Sequence, residues 1–379
     1  MRVAAIGLEN FRSYEDRRVD FGPGVTAFVG PNGAGKTNIL EAVHVIARGE
    51  SSRAGEDTEM IRWGAPLARV TVEACRAAPG SGAPAPLDRH RLEVTLFGPA
   101  AADARRRPRR YTADGAPRRA DDVIGTIAVV AFFPEDTDLL ASAPSARRRY
   151  MDAMIAQVDR SHRADTRAYA NVLTQRNALL RAGRDEEPVS ESEIAFWDTE
   201  LVRLATAISL RREAAVRDLR PAFRAAAAAL GADPAPDIAY AGQVQGSTAA
   251  ERAEGYRGLI ALKRDRERWQ ATTLVGPHRE DLAVAVAERP LPTFASRGEQ
   301  RSAVLALKLA EAEWIRAHVG EPPIFLFDDV LSELDTAHRE ALCQALPDGA
   351  QALLTAAVLT SIPEALRRVA TVTEIVRPR

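Results

Sequence analysis

VTAFVGPNGAGKTN, residues Val25–Asn38, is the stretch that decides the fold. An apolar, β-branched run leads into it and a helix is predicted to follow over Lys36–Ala47, which is the strand–loop–helix context of a phosphate-binding loop. Glycines let the backbone curl so that its N–H groups converge on phosphate oxygens. The pattern GxxxxGK[ST] is matched at Gly30, Gly35, Lys36 and Thr37. We predict that nucleotide contacts the whole loop, namely Gly30, Pro31, Asn32, Gly33, Ala34, Gly35, Lys36, Thr37 and Asn38.

Two side chains of this loop have predicted chemical roles. Lys36 would reach the β- and γ-phosphates of ATP, and Thr37 would bind Mg²⁺. The simpler alternative is a glycine turn that carries a lysine by chance. Lysine is rare in this arginine-rich chain, where it occurs only at Lys36, Lys263 and Lys308. Because pattern and context agree, we interpret the segment as an ATP site with Lys36 as a catalytic residue.

A second stretch, PPIFLFDDVLSELD, predicts the partner of this loop. Its apolar run Ile324–Phe327 is typical of a strand wholly buried in a parallel sheet, and it ends in two carboxylates. Asp328 is the predicted magnesium-associated acid, and Asp329 could polarise the attacking water. Taken alone, paired acids at a strand end could also cap the next helix. Together with the phosphate loop they predict a nucleotide-binding protein.

The segment ASRGEQRSAVLALKLAE, Ala295–Glu311, raises a different question. A small polar loop with a glycine runs directly into an alanine- and leucine-rich helix. Backbone N–H groups at such a helix start favour an anion. The obvious phosphate loop is far away in sequence, so the residues themselves do not say which anion this loop would meet.

The chain changes character twice along its length. Short strand-like runs such as Val3–Leu8 and Ala68–Ala74 dominate the N-terminal part. From about Ser145 to Trp269 strand-like runs vanish and apolar residues recur at helical spacing. Strands alternate with helices again towards the C-terminus. We therefore predict one α/β unit interrupted by a helical insertion, with divisions at residues 1–140, 141–270 and 271–379.

Composition narrows the class of protein. A net charge of −1 over 379 residues means that nucleic-acid binding would depend on local basic patches. Two cysteines exclude a disulfide framework or a CxxC metal pattern. No run of about 20 apolar residues occurs, and the first residues lack the basic and apolar regions of a secretion signal. We expect a cytoplasmic protein with no membrane partner.

The order of these motifs resembles ATP-binding-cassette (ABC) ATPases of the structural-maintenance and double-strand-break-repair type. A narrower similarity is to the RecF family of bacterial recombination mediators. The stretches that carry it are LENFRSY (Leu8–Tyr14), FVGPNGAGKTNILEAV (Phe28–Val43), FFPEDTDLL (Phe132–Leu140), YANVLTQRNALL (Tyr169–Leu180), GPHREDL (Gly276–Leu282), Ala295–Glu311 and FLFDDVLSELD (Phe325–Asp335).

This resemblance implies an α/β fold. It implies an ABC-type P-loop ATPase head, with a mixed or parallel sheet, helices and an antiparallel β lobe, interrupted by a helical insertion domain. The implied cofactors are ATP and Mg²⁺. The implied activity is a weak, DNA-stimulated ATPase used as a switch. Asp329 stands where transporters of this class carry glutamate, and its shorter side chain predicts slow hydrolysis.

The resemblance also implies contacts across a head-to-head homodimer that ATP drives together. The SRGE loop would meet the γ-phosphate held by a second subunit through Ser296, Arg297, Gly298 and Glu299. Asp335 would join Ser296 and Gly298 at the dimer interface. Arg12 would help hold nucleotide phosphate. Thr355 falls where many cassette ATPases carry a switch histidine, which leaves the γ-phosphate sensor open.

The partners that the resemblance implies are double-stranded DNA and its junctions with single strands, RecR, and RecO indirectly. ATP would close the dimer on duplex near gaps, hydrolysis would release it, and recombinase would be loaded. The alternative is an ATPase subunit of another class, nuclease-associated or transporter-type.

For two features the sequence allows both a functional and a structural interpretation. The arginine-rich stretch near residue 110 would contact DNA phosphates through Arg105, Arg106, Arg107, Arg109 and Arg110. A second cluster is Arg147–Arg149, and both could equally be solvated surface. His278 in GPHREDL could act as a base, but a histidine in a Gly-Pro turn is more often structural.

Overall fold

The computed structural model describes residues 2–76, 88–99, 109–185, 190–333, 336–347 and 349–376. These residues form two compact units. The first is built from the described residues of Met1–Thr137, Ala229–Gly231 and Arg301–Arg379. The second is built from those of Asp138–Ala228 and Ala232–Gln300. The three-part division predicted above stays a prediction.

The strands, in chain order, are β1 Arg2–Phe11, β2 Tyr14–Asp20, β3 Val25–Val29, β4 Leu67–Arg76, β5 Asp88–Phe97, β6 Arg109–Ala113, β7 Ala116–Arg118, β8 Val129–Phe132, β9 Asp237–Ala241, β10 Asp281–Val286, β11 Arg289–Pro290, β12 Ile324–Asp328, β13 Ala352–Ala356 and β14 Thr371–Glu374. The α-helices are α1 Lys36–Arg48, α2 Ala120–Val123, α3 Pro144–Ile155, α4 Arg160–Arg184, α5 Glu191–Ala229, α6 Ala249–Gln270, α7 Leu291–Phe294, α8 Arg297–Val319, α9 Val330–Glu333, α10 Thr336–Ala345 and α11 Glu364–Val369.

A five-stranded parallel sheet in the first unit positions the candidate site. Its order is β14-β3-β13-β12-β8, so β13 lies between the strand before the phosphate loop and the strand that ends in Asp328. β12 and β13 are buried at every residue, which explains their continuous apolar sequences. Their register pairs Asp328 with Thr355. The carboxyl ends of these parallel strands therefore meet at one edge of the sheet.

The other sheet of the first unit is antiparallel and six-stranded, in the order β2-β1-β4-β5-β6-β7. The parallel sheet with helices and this antiparallel lobe confirm the predicted α/β ATPase-head fold. Strand β2 was not apparent in the sequence because its middle reads EDRR, and only Tyr14 and Val19 are buried. Charges of this kind are usual on an edge strand, which must avoid pairing with other chains.

The second unit corrects one prediction. The segment between residues 145 and 269 was expected to contain no strand, yet β9 lies within it and pairs antiparallel with β10. β9 is only five residues long and follows a proline-rich stretch, and its partner is about 40 residues further along the chain. A strand this short, with a distant partner, leaves little local signal.

Among the residues described, no helix is long and apolar enough to cross a membrane.

Candidate nucleotide-binding site

The phosphate loop needs glycine at two positions for steric reasons. Gly35 precedes α1 with φ of 100°, and a Cβ there would lie 2.8 Å from the Tyr14 hydroxyl oxygen. A Cβ on Gly30 would lie 2.1 Å from the carbonyl oxygen of Ile375. Both distances are shorter than any packed Cβ allows. The loop backbone therefore runs where no side chain fits, with the N-terminus of α1 directly behind it, as an anion site requires.

Lys36 is anchored across this loop. Its Nζ donates hydrogen bonds to the carbonyl oxygens of Gly30 at 2.7 Å and Pro31 at 3.0 Å. The residue is only 7% exposed. An ammonium group has three donors, so one remains for a ligand. The lysine is thus held ready in the loop, and a phosphate oxygen is the kind of partner that would complete its hydrogen bonding.

Asp328 is held between two hydroxyl groups. Its Oδ1 accepts from Thr37 Oγ1 and from Thr355 Oγ1, each at 2.8 Å. Burial raises the pKa of Asp328, and the neighbouring charge of Asp329 adds to that rise, whereas the two hydroxyls oppose it. A buried carboxylate is a favourable ligand for a cation, because a nearby positive charge offsets the cost of burying its own charge. The Thr37 hydroxyl and the Asp328 carboxylate are hard oxygen donors, so this pair fits Mg²⁺.

Asp329 follows in an unusual backbone conformation. Its φ is 52°, in the left-handed region that aspartate tolerates better than most residues. Its backbone N–H donates to Thr355 Oγ1 at 2.9 Å. Thr355 thereby supports both acids, since its hydroxyl donates to Asp328 and accepts from the backbone N–H of Asp329.

A third acid lies near this pair. Burial raises the pKa of Glu135, and the charges of Asp136 and Asp328 raise it further, while Arg53 opposes the rise. The next residue, Asp136, accepts from the backbone N–H of Phe133 at 2.9 Å and pairs with Lys308 at 3.1 Å.

Arg12 and Arg53 converge on Glu41 in α1. Arg12 donates to both carboxylate oxygens of Glu41, at 3.0 and 2.6 Å, and to the carbonyl oxygen of Glu59 at 2.7 Å. Arg53 donates to Glu41 at 2.5 Å and to Asn38 Oδ1 at 2.9 Å. The motif reasoning found Arg12 and Asn38 but missed Arg53 and Glu41. One feature of the sequence points to Glu41, because it is the only acidic residue of α1 and lies within the buried stretch of that helix.

The SRGE loop belongs to the second unit, where it begins α8 with a reciprocal cap. The backbone N–H of Ser296 donates to Glu299 Oε2 at 2.7 Å, and the backbone N–H of Glu299 donates to Ser296 Oγ at 3.3 Å. Hydrogen bonds that the Ser296 side chain and backbone N–H make to the Glu299 carboxylate lower its pKa. The loop is therefore held by its own capping box. Asp335, predicted to share its interface, lies outside the described residues.

The predicted DNA-binding arginines differ in their surroundings. Arg105, Arg106 and Arg107 lie outside the described residues. Arg109 donates to Asp57 at 2.6 Å, to the carbonyl oxygen of Gly49 and to the Tyr111 hydroxyl at 3.3 Å. Arg110 is exposed, and its guanidinium lies 5.8 Å from the centre of the Phe97 ring.

The second arginine cluster is partly structural. Arg147 is buried in the second unit. It donates to Asp281 at 3.0 and 2.5 Å, and to the carbonyl oxygens of Leu140 and Ser142. Arg148 donates to the carbonyl oxygen of Glu280 at 2.9 Å. The bonds of Arg147 use the donors that a phosphate group would need, whereas Arg149 is exposed.

His278 is hydrogen-bonded on both sides. Its Nε2 lies 3.1 Å from the carbonyl oxygen of Thr273, and its Nδ1 lies 2.7 Å from the Tyr169 hydroxyl. A carbonyl can only accept, so Nε2 carries the proton and Nδ1 accepts from Tyr169. Burial lowers the pKa of His278 to about 4, with the nearby arginines contributing. The geometry is that of a neutral structural histidine.

This depressed pKa predicts a pH-dependent contribution to stability. Since the pKa falls from about 6.5 to about 4, the unfolded chain binds the extra proton between these values. The contribution of neutral His278 to the free energy of unfolding is complete above about pH 6.5. It is lost as the pH falls, so the free energy of unfolding drops by about 2 kcal/mol between pH 7 and pH 5. Chemical denaturation at both pH values should show this loss in the wild type and a smaller loss in His278→Gln. His318→Gln, at an exposed position, serves as the control. Equal losses in all three proteins would contradict the assignment.

The fold and the site together define the class of protein. Residues 2–375 match the family described as RecF/RecN/SMC N terminal domain. In Herpetosiphon aurantiacus and Roseiflexus castenholzii, relatives named DNA replication and repair protein RecF are each 37% identical to this chain. The alignments cover 90% and 89% of this chain, and 89% of each relative.

The chain belongs to the RecF family. A solved structure of the "recombination mediator protein RecF-ATPrS in RecFOR pathway" agrees in fold, with a TM-score of 0.84 and 25% identity. That comparison covers 96% of this chain and 94% of the other. The family resemblance inferred from the sequence motifs is thereby confirmed.

Proposed function

We propose that this protein is an ATP-switched, DNA-binding ATPase of recombinational repair and replication-fork maintenance. The observation that carries the proposal is the meeting of the phosphate loop, Thr37, Asp328 and Thr355 at one edge of the parallel sheet. Membership of the RecF family supports the DNA side, because the curated relatives are named as DNA replication and repair proteins.

The chemistry follows from what each group can do. The loop N–H groups and Lys36 bind the phosphates and stabilise charge that develops on them. Thr37 and Asp328 would hold Mg²⁺, which when bound neutralises phosphate charge. Asp329 accepts a hydrogen bond from the attacking water and orients it. Because an aspartate reaches less far than a glutamate, hydrolysis is slow and suits a switch.

Arg53 adds a cation that the sequence motifs did not indicate. It donates to Asn38 in the first turn of α1, and its charge acts on both Asp328 and Glu135. A guanidinium in this position suits the polyphosphate of ATP, as does that of Arg12. Both arginines therefore belong to the proposed site.

The SRGE loop acts in trans. In our proposal the capped start of α8 approaches the γ-phosphate bound by a second copy, and Ser296, Gly298 and Asp335 lie at that interface. ATP then joins two copies head to head, and hydrolysis releases them. The capping box supports this proposal because it presents a rigid helix N-terminus, which is a favourable anion partner.

The proposed DNA contact is electrostatic. Arg105, Arg106, Arg107, Arg109 and Arg110 remain the candidates, with Arg110 the best placed of the two that the structure describes. Because the protein would recognise the phosphate backbone and the shape of DNA, its affinity for DNA should depend strongly on salt concentration. We further propose that the dimer closes on duplex near single-strand gaps and acts with RecR, and indirectly RecO, to load recombinase there.

The test of this function is DNA binding that depends on both ATP and salt. Fluorescence anisotropy of a gapped duplex should show tight binding with a slowly hydrolysed ATP analogue and weak binding with ADP. Affinity should fall about a thousandfold between roughly 50 and 200 mM salt if about six phosphates are contacted. Arg110→Gln should reduce the salt slope by about one. An absence of DNA binding with the analogue at low salt would contradict the proposal.

A further inference from the structure

The carboxylate of Glu41 has an unusual set of partners. It receives two hydrogen bonds from Arg12, one of 2.5 Å from the Ser51 hydroxyl and one of 2.5 Å from Arg53. The Glu41 side chain is 0% exposed. An ionised carboxylate has about four acceptor positions, so every one of them is used. Glu41 is therefore a saturated junction between three segments of the first unit.

The charges at this junction do not balance. One carboxylate faces two guanidinium groups, and arginine remains protonated in proteins. The side chains of Arg12 and Arg53 are 20% and 30% exposed, so neither is sealed in the interior. A purely structural ion pair would need one arginine, whereas here a second guanidinium lies beside α1, and its charge also acts on Asp328 and Glu135.

This excess charge lies next to the phosphate loop. Arg53 donates to Asn38 Oδ1 at 2.9 Å, and Asn38 Nδ2 donates to Ser13 Oγ at 2.9 Å. Ser13 follows Arg12 directly in sequence, so hydrogen bonds join Arg53 to the first turn of α1 and to the segment that carries Arg12. Each guanidinium has five N–H donors, and the contacts to protein do not use all of them.

We propose that Glu41 is a positioning residue that fixes Arg12 and Arg53 in advance as a pair of ligands for the polyphosphate of ATP. The inference rests on the proposed function. Arginine has many rotamers, and fixing it before the ligand arrives removes part of the entropy cost of binding. A single buried carboxylate that orients two arginines keeps both in place while leaving a net positive charge for the phosphates.

The test is the effect of Glu41→Gln on ATP binding, because glutamine keeps the size but loses the charge and has one oxygen acceptor. Titration calorimetry with ATP and Mg²⁺ should show a Kd about tenfold higher than in the wild type. A change of this size is what the loss of one charge-assisted hydrogen bond produces. Arg53→Gln alone should weaken binding similarly. Introduced into Glu41→Gln, it should add at most about threefold, since coupled residues are not additive.

Glu311→Gln is the matched control for a structural role. Glu311 is also 0% exposed and pairs with a buried arginine, Arg48, in the same unit. Its substitution should lower Tm while leaving the Kd for ATP within about twofold of the wild type. An unchanged Kd in Glu41→Gln, or an equal loss in Glu311→Gln, would overturn the inference.

Two further outcomes are distinguishable. If the wild type itself binds no ATP, the proposed function fails, and the role of Glu41, which rests on it, fails with it. If Glu41→Gln does not fold, Glu41→Asp replaces it, because it retains the charge but withdraws the carboxylate by one methylene. Its Kd should also rise, and a wild-type Kd in Glu41→Asp would overturn the inference.

Discussion

Replacing Lys36 by methionine is expected to weaken ATP binding about 100-fold, since the loop loses its ammonium charge and the charge-assisted hydrogen bond to phosphate that the third Nζ donor would make. In the structure the ammonium is only 7% exposed and is held by two loop carbonyls. Methionine fills the same space without a charge. The carbonyl oxygens of Gly30 and Pro31 would then face the phosphates with no cation between them, which adds electrostatic repulsion to the lost contacts.

The measurement is a titration with a fluorescent ATP analogue. Lys263→Met is the matched control because it removes a lysine from α6, in the second unit, and it should bind ATP as the wild type does. Circular dichroism should show that both variants are folded. A Lys36→Met protein with a Kd within about threefold of the wild type would rule out the assigned phosphate contact.

Replacing Ser296 by arginine is expected to abolish ATP-dependent dimerisation while leaving ATP binding within about twofold, because the proposed contact is made to another copy's nucleotide. A long side chain at the start of α8 would occupy the space into which the partner's γ-phosphate must come. The change also removes the cap on the Glu299 N–H, at a cost of about 1 kcal/mol. That loss is too small to unfold the chain.

Sedimentation velocity with a slowly hydrolysed ATP analogue and duplex DNA measures this effect. Ser296→Thr keeps a capping hydroxyl and should still dimerise, which separates the cap from the interface. Simultaneous loss of ATP binding and dimerisation in Ser296→Arg would argue against action in trans. A wild-type protein that stays monomeric at micromolar concentration, with saturating nucleotide and DNA, would refute the dimer itself.

Sequence reasoning identified those parts of the site whose residues are contiguous in the chain. Residues 30–38 form one continuous loop, and Asp328 and Asp329 end one apolar strand, so their spacing alone predicts what they bind. Strand β12 was predicted over Ile324–Phe327 and ends one residue later, at Asp328. The reason is that complete burial in a parallel sheet leaves an uninterrupted apolar run.

What escaped prediction depends on partners that are distant in sequence. Arg53 belongs to no motif, and it becomes part of the site only because Glu41 and Asn38 accept its hydrogen bonds. Strand β9 exists because β10 pairs with it, although its own five residues resemble the end of a loop. In the same way, the Thr355 hydroxyl bonds to Asp328 and to the backbone of Asp329, contacts that no sequence pattern indicated.

The sequence by itself determined the class of protein, the phosphate loop, the acid strand and the α/β architecture, since each is written in a contiguous run of residues. Only the tertiary structure decided that Asp328 lies between Thr37 and Thr355, that His278 is neutral and structural, and that Glu41 joins two arginines beside the loop. The physical reason is that hydrogen bonds and charges act between atoms that folding brings together, such as those of Thr37 and Asp328, which lie 291 positions apart.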